Sequence, residues 1–199
     1  MLSSIHPFGE RSRNNTFGRT ASAHVLGSSL GGALLGLIFG SLGWLLLTLI
    51  DLSIDTRTIL ILVSALAALV IEATGRERLL PSRSRQVNEN WIQNYRGWVY
   101  GGGFGAELGF GISTIITTPL IHLLVVAMVL VGSIGAGVLL GVTFGLVRGA
   151  TVLAARRVDS PDSLRLFHQR LDALRVRSRS GAVASLALAS AIGLAGVIS

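Results

Sequence analysis

The sequence predicts an all-α fold, a polytopic integral membrane bundle of helices, on three observations. Half of the 199 residues are hydrophobic and only 14% are charged, whereas soluble domains carry roughly a quarter charged residues. Apolar runs long enough to cross a bilayer recur along the chain, the first being VLGSSLGGALLGLIFGSLGWLLLTLI at 25–50. Glycines stand four apart in three ladders: Gly32, Gly36 and Gly40; Gly101, Gly105 and Gly109; and Gly137, Gly141, Gly145 and Gly149. That spacing lets membrane helices approach backbone to backbone.

The first element, 1–24, is a cytoplasmic segment carrying Arg11, Arg13 and Arg19. The apolar run that follows exceeds a signal peptide's hydrophobic region of about 7–15 residues, and the charged DLSID follows it instead of a cleavage site, so it reads as a span. Residues 25–74 form a first membrane repeat with spans over 25–50 and about 58–73. Residues 75–97 form a cytoplasmic amphipathic segment, because Val87, Trp91, Tyr95 and Trp98 recur at helical spacing with polar residues between them. Trp91, Tyr95, Trp98 and Tyr100 suit an interfacial aromatic belt. Residues 98–155 form a second membrane repeat containing a broken helix. In 156–180, Ser160 can cap, Pro161 suits the first helical position, and Leu164, Phe167, Leu171 and Leu174 make an apolar stripe beneath a basic face. The last span is 181–199. GALLG at 32–36 aligns with GAELG at 105–109, which hints at a duplication of the kind that builds transporter folds.

Charge parity counts the crossings. The 17 basic residues are all arginine, the net charge is +7, and most of them fall in three segments: the N-terminus, 75–97 and 155–180. If cytoplasmic loops collect arginine, an even number of spans separates each pair of segments. Five spans with the N-terminus inside satisfy this; a sixth, from three short spans within 98–154, would put one arginine cluster on the wrong side. The arginine-only usage and the spans together indicate a bacterial plasma membrane protein with a cytoplasmic N-terminus. Arg83, Arg85, Trp91, Arg156, Arg157, Arg165 and Arg170 are the expected contacts to the lipid bilayer, to anionic lipids or to a partner. Partner subunits of a membrane complex or a second copy of the chain are the expected protein contacts. Nucleic acid is not expected, since no soluble domain carries a docking motif.

Glu107 is the residue most in need of explanation. It lies nine residues past Trp98, about 13–14 Å at 1.5 Å per residue, near the middle of a roughly 30 Å hydrocarbon core. A carboxylate there costs at least about 2.5 kcal/mol on insertion scales, so it must face protein or water. On a continuous helix, Glu107, Gly111, Thr114 and Thr118 share one face. Pro119 then breaks the helix, and Thr117 and His122 stand beside the break. A substrate or ion site at a discontinuous helix is one reading. The structural alternative is that Glu107 bonds a neighbouring helix while the threonines bond their own carbonyls. The glycines of GSIGAG offer another break. No metal site is expected, because one histidine and one glutamate are not a ligand set, and no cofactor or catalytic array is expected. The lack of cysteine excludes disulfides and thiolate chemistry.

The run RQVNENWIQNYRGWVYGGGFGAELGFGISTIITTPL, with a matching glycine-rich first half, resembles the small membrane proteins related to the cytochrome c biogenesis and DsbD transmembrane domains, often found in actinobacteria. The resemblance implies a six-helix inverted repeat, which conflicts with the charge parity. Members that carry electrons use a cysteine in each repeat, and IFGSLGWLL and ISTIITTPL have none, so only the fold would carry over. Two functions remain open: a non-enzymatic accessory or scaffold subunit of a membrane complex, or a secondary transporter of a small solute or ion using Glu107 and the break near Pro119.

Overall fold

A computed structural model describes residues 5–76, 91–111 and 118–198. Of the residues singled out by sequence, Arg83, Arg85, Val87, Thr114 and Thr117 lie outside them. Among the described residues every regular element is helical: α1 (Pro7–Ser12), α2 (Phe17–Leu49), α3 (Ile54–Thr74), α4 (Trp91–Asn94), α5 (Gly97–Phe110), α6 (Leu120–Val131), α7 (Ile134–Ala150), a 3-10 turn at Thr151–Arg157, and α8 (Pro161–Ile198). Three of these are long and apolar enough to cross a membrane by length and composition: Phe17–Leu49, Ile54–Thr74 and Ile134–Arg157.

The helix ends follow local chemistry. Ser53 caps α3 by accepting the Thr56 amide at 3.2 Å, and Gly75, at φ 69°, closes it in the left-handed region. Gly132 at φ 64° ends α6, and Ser133 then caps α7, so the first two residues of GSIGAG turn the chain between two antiparallel helices and the rest begins α7. At the start of α8 the Ser163 amide bonds Ser160 Oγ at 3.2 Å, with Pro161 in the first turn. The basic stretch and the apolar stretch that follows it are one helix, with no interruption at 180.

α2 is the axis of the bundle, flanked by α5 and α7. Its partners lie against two of its faces, and the pairing fixes their directions. Gly101, Gly105 and Gly109 of α5 meet the carbonyls of Thr20, His24 and Ser28, so α5 runs parallel to α2. Gly137 and Gly141 of α7 meet those of Gly36 and Gly32, so α7 runs antiparallel. A side chain at any of these positions would land on the neighbour's backbone, which cannot yield as a side-chain tip can. The glycine ladders are therefore packing seams. Gly43, near the far end of α2, meets Val129 of α6. α5 and α6 thus lie one after the other along α2, and α7 returns beside them.

The outer surface is apolar: Leu30, Leu34 and Trp44 of α2 and Ile54, Val63 and Val70 of α3 are all at least half exposed. α8 packs on α3, with Ala65, Ala68, Leu186 and Ser190 buried.

Two expectations are corrected here. The helix carrying Glu107 ends at Phe110, with Gly111 at φ 70°, so Glu107 and Thr118 do not share a helical face. Pro119 stands eight residues further on, as the N-cap of α6. The aromatic segment is likewise no continuous helix: α4 stops at Asn94, Arg96 is extended, and α5 restarts at Gly97, whose amide is held by Asn15 Oδ1 at 3.3 Å. A bond from a distant segment thus overrides the local spacing.

Candidate functional site

Two polar clusters interrupt the apolar bundle. The first sits at its arginine-bearing end. His6 caps α1, its Nδ1 accepting the Gly9 amide at 3.1 Å, and Pro7 follows at the first position. This short helix carries Glu10 inward until its side chain is fully buried. There the carboxylate accepts a bond from Thr20 Oγ1 at 2.7 Å, a bond from the Tyr100 hydroxyl, and an ion pair with Arg13 at 3.2 Å. Burying a carboxylate is costly unless such donors answer it. The Phe8 amide bonds Val158 O at 3.0 Å, which ties the segment to the end of the 3-10 turn. Ile5, Ala21, Tyr100, Phe104 and Val152 form the small core beneath it.

Tyr100 is therefore an internal hydrogen-bond donor and not part of an aromatic belt. Trp91 is half-buried, its ring stacked on Phe104 at 6.2 Å. Tyr95 and Trp98 are the exposed members of that set. Burial in this segment, followed by the Arg13 guanidinium, pushes the His6 pKa below its ordinary value, while Glu10 opposes the shift and His168 adds to it.

The second cluster lies around the gap between α5 and α6. Glu72, buried near the end of α3, accepts a bond from Thr118 Oγ1 at 3.0 Å. Pro119 is buried beside it, and His122, one turn into α6, is half-buried. Glu107 is half-buried on α5, next to Ala106, whose carbonyl meets Gly31 of α2. Thr118 lies eleven residues before Val129, the neighbour of Gly43; that is about 16–17 Å back along the axis, again near the middle of α2. Arg148 of α7 reaches the same break: its guanidinium carbon is 5.5 Å from the Phe144 ring centroid, and a Cβ on Gly111 would stand 3.6 Å from its Nη1.

Ionisable residues of four helices thus flank the break: Glu107 three residues before the end of α5, His122 in the first turn of α6, Glu72 through its bond to Thr118, and Arg148 beside Gly111. Sequence reasoning found Glu107, Thr118, Pro119 and His122 and missed Glu72, Arg148 and Glu10. An acid and an arginine inside otherwise apolar helices were the available signals for the first two. For Glu10 the signal was a proline-started turn with an acid in it. Among the described residues no group of three or more His, Cys, Asp or Glu side chains is placed to hold a metal ion. Of the expected basic contacts, Arg156, Arg157 and Arg170 line one groove with Leu166 and Phe167, and Arg165 is exposed on α8.

No family model matches the chain, and no solved structure matches it. Over 129 residues it is 32% identical to the methylamine utilization protein MauF of Paracoccus versutus, covering 65% of this chain and 47% of that protein. Over 146 residues it is 30% identical to MauF of Paracoccus denitrificans, covering 72% and 50% respectively. The MauF of Methylorubrum extorquens is 29% identical over 152 residues, covering 74% and 51%. The chain spans about half the length of the curated relatives it matches.

These relatives overturn the resemblance to the cytochrome c biogenesis and DsbD domains and point to a different family. The physical reason is plain in the fold. That resemblance rested on glycine and threonine placement, and the glycines are where helix backbones touch, a requirement common to any closely packed pair of membrane helices.

Proposed function

We propose that the chain is a non-enzymatic integral membrane protein, an accessory subunit of a membrane complex serving the use of small amines, as the name of its relatives describes for them. The observation that carries this reading is the finish of one end of the bundle. The segment 5–16, the start of α5 and the 3-10 turn are tied together there by Glu10, Asn15 and the Phe8–Val158 bond, and arginine-lined grooves open on that face. Meanwhile the middle of α2 is closed against α5 and α7 by backbone contact. In this reading the crossings are α2, α3, the interrupted pair α5–α6, α7 and the apolar half of α8. The arginine-bearing end faces the cytoplasm of a bacterial plasma membrane.

The test is deletion of the coding segment in the native host combined with mild-detergent purification of the tagged protein. Loss of growth on methylamine with normal growth on succinate, and a partner subunit retained in stoichiometric amount, are the expected results. Unimpaired growth on methylamine, or isolation of the chain alone, would sink the reading.

A second reading, a secondary transporter of a small cation, draws support from buried Glu72 and its Thr118 bond beside a helix gap. Reconstituted vesicles separate the two. Methylammonium uptake that Glu72→Gln abolishes favours transport; no uptake by the wild-type protein favours the accessory role.

A further inference from the structure

At the arginine-bearing end a groove of about 380 Å³ opens between three segments distant in sequence. Arg13, Asn14, Asn15 and Thr16 line it from the connection between α1 and α2, Arg19 and Thr20 from the first turn of α2, and Arg96, Gly97 and Trp98 from the start of α5. Three guanidiniums share this space, and among the described residues no acidic residue lines it. Glu10 lies beneath, fully buried, and its carboxylate is taken up by Arg13, Thr20 and Tyr100. Among the described residues three positive charges thus face one negative charge, an excess of two.

The Arg13 guanidinium is oriented by its ion pair. Arg19 and Arg96 are exposed, and among the described residues no hydrogen bond or ion pair engages their side chains. Like charges gathered this closely repel one another unless an anion joins them. The backbone adds to the same field. α2 and α5 run parallel, so both begin at this groove with the positive ends of their dipoles directed toward it. Asn14, at φ 56°, turns the chain between Arg13 and Asn15, so that Asn15 can hold the Gly97 amide and keep the two helix starts side by side. Trp98 on the rim and Tyr95 nearby are each just over half exposed, as aromatic residues at a lipid headgroup level are.

The geometry points to a phosphate-binding site formed by Arg13, Arg19 and Arg96, suited to the phosphate of an anionic phospholipid at this face of the membrane. Arginine is the residue for this ligand, because its planar fork presents paired N–H donors to two phosphate oxygens. The site goes beyond the accessory role and stands whether or not a partner subunit exists.

The experiment uses the full chain in detergent, titrated in one arm with short-chain phosphatidylglycerol and in the other with inorganic phosphate, and read by tryptophan fluorescence and native mass spectrometry. Saturable binding is expected, weakened about tenfold by Arg19→Gln or Arg96→Gln through loss of one charge-assisted contact. The paired change Arg156→Gln with Arg170→Gln, in the other arginine-lined groove, is expected to leave it unchanged. A saturable response in the lipid arm identifies a headgroup as the source of the phosphate. The same response in the inorganic phosphate arm alone identifies a soluble ligand and still supports the site. The proposal is overturned by a response in neither arm, or by an equal loss from the Arg156 and Arg170 changes, which would mean diffuse surface charge. Thermal unfolding of each variant checks folding, and neither Arg19→Gln nor Arg96→Gln removes an internal bond.

Discussion

GALLG in α2 and GAELG in α5 carry glycines at the same spacing, yet the helices that hold them end differently. α2 runs on for thirteen residues past Gly36, whereas α5 stops one residue past Gly109. In α2 the glycines serve two seams: Gly27 and Gly31 meet α5, while Gly32 and Gly36 meet α7. Beyond Gly31, α2 continues but α5 follows it no further. Gly111 there adopts a positive φ, and α6 later takes over along the same axis as far as Gly43. A glycine four residues from another therefore marks a helix contact, whereas Gly75, Gly111 and Gly132, which end helices at positive φ, stand outside that spacing. The difference has a chemical consequence. The unbroken helix carries no ionisable side chain between His24 and its end, and the interrupted one has Glu107, Glu72, His122 and Arg148 around its gap.

The sharpest way to break this contrast is to load the seam. Gly141→Leu would drive a side chain into the Gly32 carbonyl and is expected to destabilise the protein by about 3 kcal/mol or more. Gly135→Ala, on the same helix with nothing within 4 Å, is expected to be neutral or slightly stabilising. Reversible unfolding in mixed micelles measures both, and equal effects would dismiss the seam.

Gly111→Ala tests the stop. Its left-handed backbone and the Phe144 ring edge at 3.2 Å should together cost about 2 kcal/mol in the same assay. A cost as small as that of Gly135→Ala would mean the break does not depend on this conformation.

Thr118→Val removes the donor to Glu72 and should cost about 0.6 kcal/mol, the average for a hydrogen bond between membrane helices. Thr118→Ser keeps the hydroxyl and should recover most of that loss. If it does not, the methyl packing and not the bond is what matters.

The smallest effect concerns pH. His6 is held neutral in the fold below its ordinary pKa, so the unfolded chain takes up a proton first as pH falls. The stability His6 contributes is complete above about pH 6.5 and is lost progressively below it, as the Nδ1 acceptor for Gly9 becomes protonated. His6→Asn keeps a capping acceptor without a titrating group and should flatten the stability profile between about pH 5 and 7. An unchanged slope would place the pH dependence on another group.

What was legible in the sequence was local. The glycine ladders, the Ser160–Pro161 helix start and the turn at Gly132 and Ser133 each depend on residues within about one helical turn, where the 3.6-residue period governs. The site was legible only in part, through Glu107, Thr118 and His122. Pro119 drew attention to the break because proline is a known helix stop, but the helix had already ended at Gly111, whose sequence neighbours do not differ in kind from those of the seam glycines.

By itself the sequence determined a helical chain with apolar helices long enough to cross a membrane, and which helix faces could touch. The tertiary structure decided the polar partnerships. Thr118 meets an acid 46 positions away, and Tyr100 meets Glu10 across 90. No periodicity encodes such distances, because the side chains come within reach only after the glycine seams have set helix order and direction. Burial then makes each pairing obligatory, since an acid closed off from water must find its donors among whatever the packing has brought beside it.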